Sequence, residues 1–244
     1  MSDIVMSAVD VNVRFGGLRA LADLDLEIRS GEVLGIVGPN GAGKSTLFNV
    51  LAGAIRPTSG RVLLQGRDIT SSRADQRARM GISRTFQTVR PFLDETLVRN
   101  VAVAALAVGD GRAHAMDVAV DLLEQVGLAD KAAARASELG HGERKRLELA
   151  RALAVRPRVL MLDEVMAGLN PSEVREIVEL IRSLCAASGS ELVLIEHLLS
   201  AVRSLADRVV VLDAGRVLAD GTPDDVFGDP KVIEAYLGTK YATS

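Results

Sequence analysis

Apolar and polar positions alternate at Val9, Val11, Val13 and Phe15, with Asp10, Asn12 and Arg14 between them. A period of two is that of a strand with one wet face. Leu24, Leu26 and Ile28 alternate with Asp25 and Glu27 in the same way. Residues 33–37 are different: they run without a polar break, as a strand covered on both faces does. Residues 159–162, 192–195 and 209–212 read as further buried strands. A helix is predicted over 46–52, with Gly53 capping its C-terminus and Pro57 beyond it. Another is predicted after Asn170, where Val174, Ile177, Val178, Ile181, Leu184 and Cys185 fall at helical spacing. Asn170 suits its N-cap, Pro171 its first turn, and Glu173 completes a capping box. Strands alternating with helices predict an α/β fold with a mostly parallel sheet. The stretch of about 91–155 breaks this alternation: it is rich in Ala, Leu, Val and charge, and reads as an inserted helical subdomain.

Composition narrows the function. The 244 residues carry a net charge of −3, with 48% apolar and 25% charged positions. Disorder and collagen are excluded, and a nucleic-acid binder would show a basic excess. No nucleic-acid partner is expected. The single cysteine, Cys185, allows neither an internal disulfide nor a metal cluster, so a reducing compartment is expected. The chain opens without a basic region and apolar run, so no signal peptide is expected. The longest apolar stretch, 101–108, is far short of a membrane span.

The chemistry begins where the 33–37 strand ends. Gly38-Pro39-Asn40-Gly41-Ala42-Gly43-Lys44-Ser45-Thr46 fits the phosphate-loop pattern G-x-x-x-x-G-K-[ST]. Its glycines let backbone N–H groups curl around phosphate oxygens, and the helix that follows aims its positive end at the same anion. Lys44 would reach the β- and γ-phosphates and the Ser45 hydroxyl would ligate Mg²⁺. A second strand ends in two acids, Asp163 and Glu164. At the C-terminal end of a parallel strand, where α/β ligands bind, Asp163 would hold Mg²⁺ through water and Glu164 would act as general base.

Five more features follow a fixed order: Phe15 after the opening strand, Arg84-Thr85-Phe86-Gln87, Leu139-Gly140-His141-Gly142-Glu143, Ala167-Gly168-Leu169-Asn170-Pro171, and Leu194-Ile195-Glu196-His197. With the phosphate loop and the paired acids they resemble the ATP-binding subunit of ABC transporters, over about residues 4–238. Within that family the importer branch for branched-chain amino acids is most similar. The Gly-Leu-Asn-Pro run and the Ala235-Tyr236-Leu237-Gly238 tail carry that finer likeness.

The resemblance implies a P-loop (RecA-like) ATPase core with an antiparallel β subdomain and an inserted α-helical subdomain. The 1–244 chain is then a single ATPase domain. About 4–90 and 156–238 make the nucleotide-binding core, and about 91–155 make the helical part that carries the signature motif. It implies Phe15 on the adenine, Gln87 on Mg²⁺ and the attacking water, and His197 on the γ-phosphate. Gly140, His141 and Gly142 would meet the nucleotide of a second ATPase subunit, related but non-identical, in a head-to-tail dimer. The resemblance implies ATP and Mg²⁺ as cofactors. It implies integral membrane permeases and, indirectly, an extracytoplasmic solute-binding protein as partners, with no nucleic acid, and the cytoplasmic face of the membrane as the location. Two departures from the usual Leu-Ser-Gly-Gly-Gln signature stand out. Gly140 lacks the serine hydroxyl that contacts the γ-phosphate, a bond worth about 1.5–3 kcal/mol, and His141 replaces a glycine. The basic run Arg144-Lys145-Arg146 reads as a solvated helix face. The competing readings are a non-transport ABC ATPase, in DNA repair, chromosome organisation or translation, and a catalytically weak regulatory subunit. The first usually carries a long coiled-coil or zinc insertion; here Lys44 and Asp163 are only about 120 residues apart, the length of an ordinary helical subdomain.

Overall fold

A computed structural model describes residues 3–85 and 91–237. Along the chain come β1 (Ile4–Phe15), β2 (Leu18–Arg29), β3 (Val33–Val37), α1 (Lys44–Leu51), β4 (Ser59–Leu64), β5 (Arg67–Asp68), α2 (Ala74–Arg79) and β6 (Ile82–Arg84). Helices α3 (Leu97–Ala107), α4 (Arg112–Gln125) and α5 (His141–Leu153) follow, with 3₁₀ turns at Ala129–Lys131 and Ala136–Glu138. The chain continues with β7 (Val159–Asp163), α6 (Pro171–Ser188), β8 (Glu191–Ile195), α7 (Leu199–Leu205), β9 (Arg208–Asp213), β10 (Arg216–Gly221), α8 (Pro223–Gly228) and α9 (Pro230–Leu237). It divides into two units: residues up to 74 with those from 191 on, and residues 75–190.

In the first unit β3 lies between β8 and β9, parallel to both, with Ile36 opposite Ile195 on one side and Val210 on the other. All three strands are apolar runs, and their cores are buried as continuous runs predict. Strand β10 closes this side, antiparallel to β9. A second, antiparallel sheet has the order β2-β1-β4-β5. The alternation in β1 changes phase part-way. Met6 and Ala8 are buried, then Val11 and Val13. The register shifts between Ala8 and Val11, where Asp10 is left-handed at φ 49°. This bulge re-aims the end of the strand. Phe15 is 50% exposed there, not a core residue.

In the second unit β6 and β7 are parallel, with Arg84 opposite Met161. Between 97 and 153 the elements are helical, and α3, α4 and α5 pack on one another through residues such as Leu97, Val101, Leu123 and Leu147. Helix α6 starts as its residues dictate. The Asn170 side chain accepts from the N–H groups of Ser172 (2.9 Å) and Glu173 (3.1 Å), and the Glu173 carboxylate accepts from Asn170 N–H at 2.8 Å. Ile177, Val178, Ile181 and Leu184 are buried as expected. Val174 and Cys185 are only half-buried, so the apolar stripe is narrower than its spacing suggested.

The cap gives a direct test. Asn170→Ala should lower unfolding stability by about 1 kcal/mol, and Asn170→Asp should restore most of it. Urea unfolding of the full chain measures both.

Candidate functional site

The phosphate loop is built where β3 stops. Gly38 is at φ 146°, and a Cβ there would lie 2.1 Å from the Leu212 carbonyl oxygen. Gly43 caps α1 at φ 103°, and a Cβ would lie 2.7 Å from the Ala20 oxygen. No other residue type fits either place, because backbone passes too close and the dihedral is left-handed. The loop is braced from outside: Gly215 N–H donates to Ala42 O (3.0 Å), and Ala22 N–H to Gly215 O (2.9 Å).

Lys44 is buried, and its ammonium donates to the carbonyls of Gly38 (2.7 Å) and Pro39 (3.0 Å). The cation thus rests inside the curl of the loop, held by groups that a phosphate oxygen can replace. Ser45 follows on the first turn of α1 with its side chain exposed, Thr46 is half-buried, and Asn40 and Gly41 lie on the outer rim. The first turn of α1 holds no acidic residue, so nothing opposes the positive end of the helix. The pairing of Ile36 with Ile195 brings the end of β8 to the same sheet edge. His197 follows there, exposed, after buried Glu196.

In the second unit Asp163 ends β7. It is 2% exposed, its carboxylate accepts from Arg84 at 2.9 Å, and its N–H donates to the Thr85 hydroxyl at 2.9 Å. The other carboxylate oxygen, Oδ1, is buried with no hydrogen-bond partner among the described residues. Such an oxygen fits a hydrated cation. A Mg²⁺ ion typically uses one or two carboxylates with water and phosphate oxygens, and the Asp163 carboxylate is a donor of that type. No cluster of three or more His, Cys, Asp or Glu that could hold a metal occurs among the described residues. Burial pushes the Asp163 carboxyl above the ordinary aspartate range, and Arg84 pulls it part of the way back. Glu164 follows, half-buried, with a left-handed backbone at φ 51°. Gln87 lies outside the described residues.

The signature segment forms the start of α5. Gly140 is its N-cap and offers no side chain. Its N–H donates to the Glu143 carboxylate at 3.0 Å, and Lys131 pairs with that carboxylate. Both partners hold the Glu143 carboxyl below its usual range, Lys131 more strongly. Glu143, where the family pattern has glutamine, is a third departure visible in the sequence, and the structure adds that Lys131 balances its charge. His141 Nε2 lies 3.1 Å from the Ala167 carbonyl, and Gly142 lies beside Glu173 and Leu169. The basic run after it is not a solvated face. Lys145 is 2% exposed, and Arg146 donates to the Val126 carbonyl (3.3 Å) and pairs with Glu176 (2.8 Å).

A family model described as ABC transporter matches residues 21–167. The chain belongs to the ABC transporter ATP-binding family. A second model, described as branched-chain amino acid ATP-binding cassette transporter, matches residues 216–242. The chain is 40% identical to the high-affinity branched-chain amino acid transport ATP-binding protein LivG of Escherichia coli, over 98% of this chain and 99% of that protein. BraF of Pseudomonas aeruginosa, described in the same words, is also 40% identical with the same coverage. A nucleotide-free ATP-binding cassette from an ABC transporter has a TM-score of 0.88 at 30% identity, over 96% of this chain and 99% of that one. The cbiO1 protein of Clostridium perfringens, part of the ABC transporter complex cbiONQ, reaches 0.85 at 30% identity over 95% and 94%. The ABC ATPase is thus the ATP-hydrolysing kind of transporter subunit. None of its described helices is long and apolar enough to cross a membrane.

The Arg84–Asp163 pair predicts a pH-dependent stability. A carboxyl with a raised folded pKa binds its proton more tightly folded than unfolded, so it favours the fold at low pH and loses that advantage as pH rises through the folded value. Arg84→Met removes the counter-charge and should cost about 3 kcal/mol at neutral pH. The loss should shrink as pH falls towards the ordinary aspartate range, and Arg84→Met with Asp163→Asn should recover most of it. Urea unfolding across pH checks each outcome.

Proposed function

We propose that this ABC ATPase energises import of branched-chain or related hydrophobic amino acids, as one half of a head-to-tail ATPase dimer on the cytoplasmic side of a membrane permease. The observation that carries the reading is the braced phosphate loop with Lys44 held in its curl. The likeness to LivG and BraF along nearly the whole chain supports the solute class. We keep the reading of a single ATPase domain, with the helical stretch of about 91–155 as its inserted part.

In this reading the loop from Gly38 to Thr46 cradles the ATP phosphates with the backbone N–H groups of its residues other than Pro39. Lys44 exchanges its two carbonyl contacts for β- and γ-phosphate oxygens. Phe15, exposed at the end of β1, stacks on the adenine. When bound, Mg²⁺ neutralises charge on the β- and γ-phosphates; Ser45, Asp163 and Gln87 are the residues that would hold it. Glu164 takes the proton of the attacking water, and His197 contacts the γ-phosphate. Gly140, His141 and Gly142 offer the N-terminus of α5 to the partner subunit's ATP. That ATP favours the closed dimer because its γ-phosphate touches both halves, and hydrolysis releases the tie.

The permease contact has a candidate face. Phe92, Val103, Leu106 and Met116 line a groove of about 490 Å³ on α3 and α4, rimmed by Glu95, Arg99 and Arg112. Its apolar side chains are about half exposed. Its first lining residue, Phe92, comes five residues after Gln87, in the segment that resembles the family's membrane-facing part.

Two experiments test this reading. Lys44→Ala should weaken ATP binding at least about tenfold, and Glu164→Gln should keep ATP binding but lower turnover at least about a hundredfold. Nucleotide titration and phosphate release measure these, and a Glu164→Gln variant as fast as the parent would overturn the assignment of the base. For the groove, Val103→Glu with Leu106→Glu should abolish solute uptake by the assembled transporter and leave nucleotide binding by the isolated chain unchanged.

A further inference from the structure

Lys145 and His141 stand one helical turn apart on α5, on one face of the helix. Lys145 is a buried lysine, and a buried ammonium must find acceptors. Its Nζ donates to the main-chain carbonyl of Glu164 at 3.3 Å. His141 Nε2 lies 3.1 Å from the carbonyl of Ala167. A carbonyl only accepts, so Nε2 carries the hydrogen. Glu164 and Ala167 are the two ends of one turn, closed by Ala167 N–H donating to Glu164 O at 3.2 Å. Helix α5 therefore grips that turn by the carbonyl at each end.

The turn needs holding. Glu164 is left-handed at φ 51°, a conformation that costs a non-glycine residue about 1 kcal/mol or more and persists only where the surroundings enforce it. Beyond it, Gly168 is at φ 78°, and a Cβ there would lie 3.0 Å from His141 Nε2. The imidazole thus fills the space over the loop. A glycine at position 141, as in the family pattern, has no side chain to reach Ala167.

We propose that His141 and Lys145 are positioning residues for Glu164: together they hold the strained 164–167 turn so that the carboxylate faces the attacking water. The inference rests on the reading of Glu164 as general base.

The test compares Lys145→Met, Lys145→Arg and His141→Phe in the full chain. Methionine keeps the length of the stem but removes the donor to the Glu164 carbonyl and a positive charge near Asp163, so thermal unfolding is measured alongside. Backbone hydrogen exchange over 164–168 should quicken in Lys145→Met and His141→Phe. Turnover should fall about tenfold in Lys145→Met with the KM for ATP changed less than about twofold. Lys145→Arg should restore most of both. Unchanged exchange in the two variants would overturn the proposal. So would a loss of turnover that arginine does not rescue, or one accompanied by equal losses in ATP affinity and melting temperature. Glu164→Gln run alongside separates the two ideas. If that variant hydrolyses ATP normally, the assignment of the base fails, whereas the exchange result still decides whether α5 holds the turn.

Discussion

The parallel pairing of β3 with β8 and β9 is the constraint on which the nucleotide-binding end depends. A parallel ladder brings the carboxyl ends of its strands to one edge. Gly38 continues β3 at that edge and His197 follows β8. The turn after β9 supplies Gly215, whose N–H braces Ala42. Loop conformation is thus imposed by strands that are themselves held by buried apolar runs. A glycine-rich loop free of that frame would lose about 1–2 kcal/mol of backbone entropy per residue ordered. The frame places that cost on folding, before any nucleotide arrives.

The second unit solves a different problem, the placing of charge in a buried setting. Asp163, Arg84 and Lys145 are all largely buried around the end of β7. Apolar residues of the same volume would make a core at least as stable. What the charges supply is position. Arg84 fixes one oxygen of Asp163, while the other is buried with no hydrogen-bond partner among the described residues. Lys145 fixes the carbonyl of the next residue, whose backbone is strained. Strain and buried charge at one strand end mark a site whose geometry has been kept at the expense of stability.

The signature segment departs from its family pattern in a coordinated way. The N–H of Gly140 is satisfied by Glu143, and Lys131 balances the carboxylate that accepts it. The positive end of α5 is therefore not burdened by an uncompensated acid. His141 turns the position of a second glycine into a contact with the loop after β7.

Much of this was legible in the sequence. The strand runs at 33–37, 159–162, 192–195 and 209–212, the phosphate loop, and the cap at Asn170 rest on local chemistry: periodicity, glycine dihedrals and side-chain acceptors. The order of the motifs carried the family. The tertiary structure decided what local chemistry leaves open. The bulge at Asp10 changed which side chains of β1 are buried, and further register shifts between Val11 and Arg14 precede exposed Phe15; a register shift is a property of two paired strands. Short pieces such as β5 and β6 have too few residues to show a period. The basic run 144–146 looked solvated because charge alone says nothing about what lies opposite. Only packing could reveal that Lys145 faces a carbonyl 19 residues further along the chain, since burial of a cation depends on the acceptor that the fold brings to it.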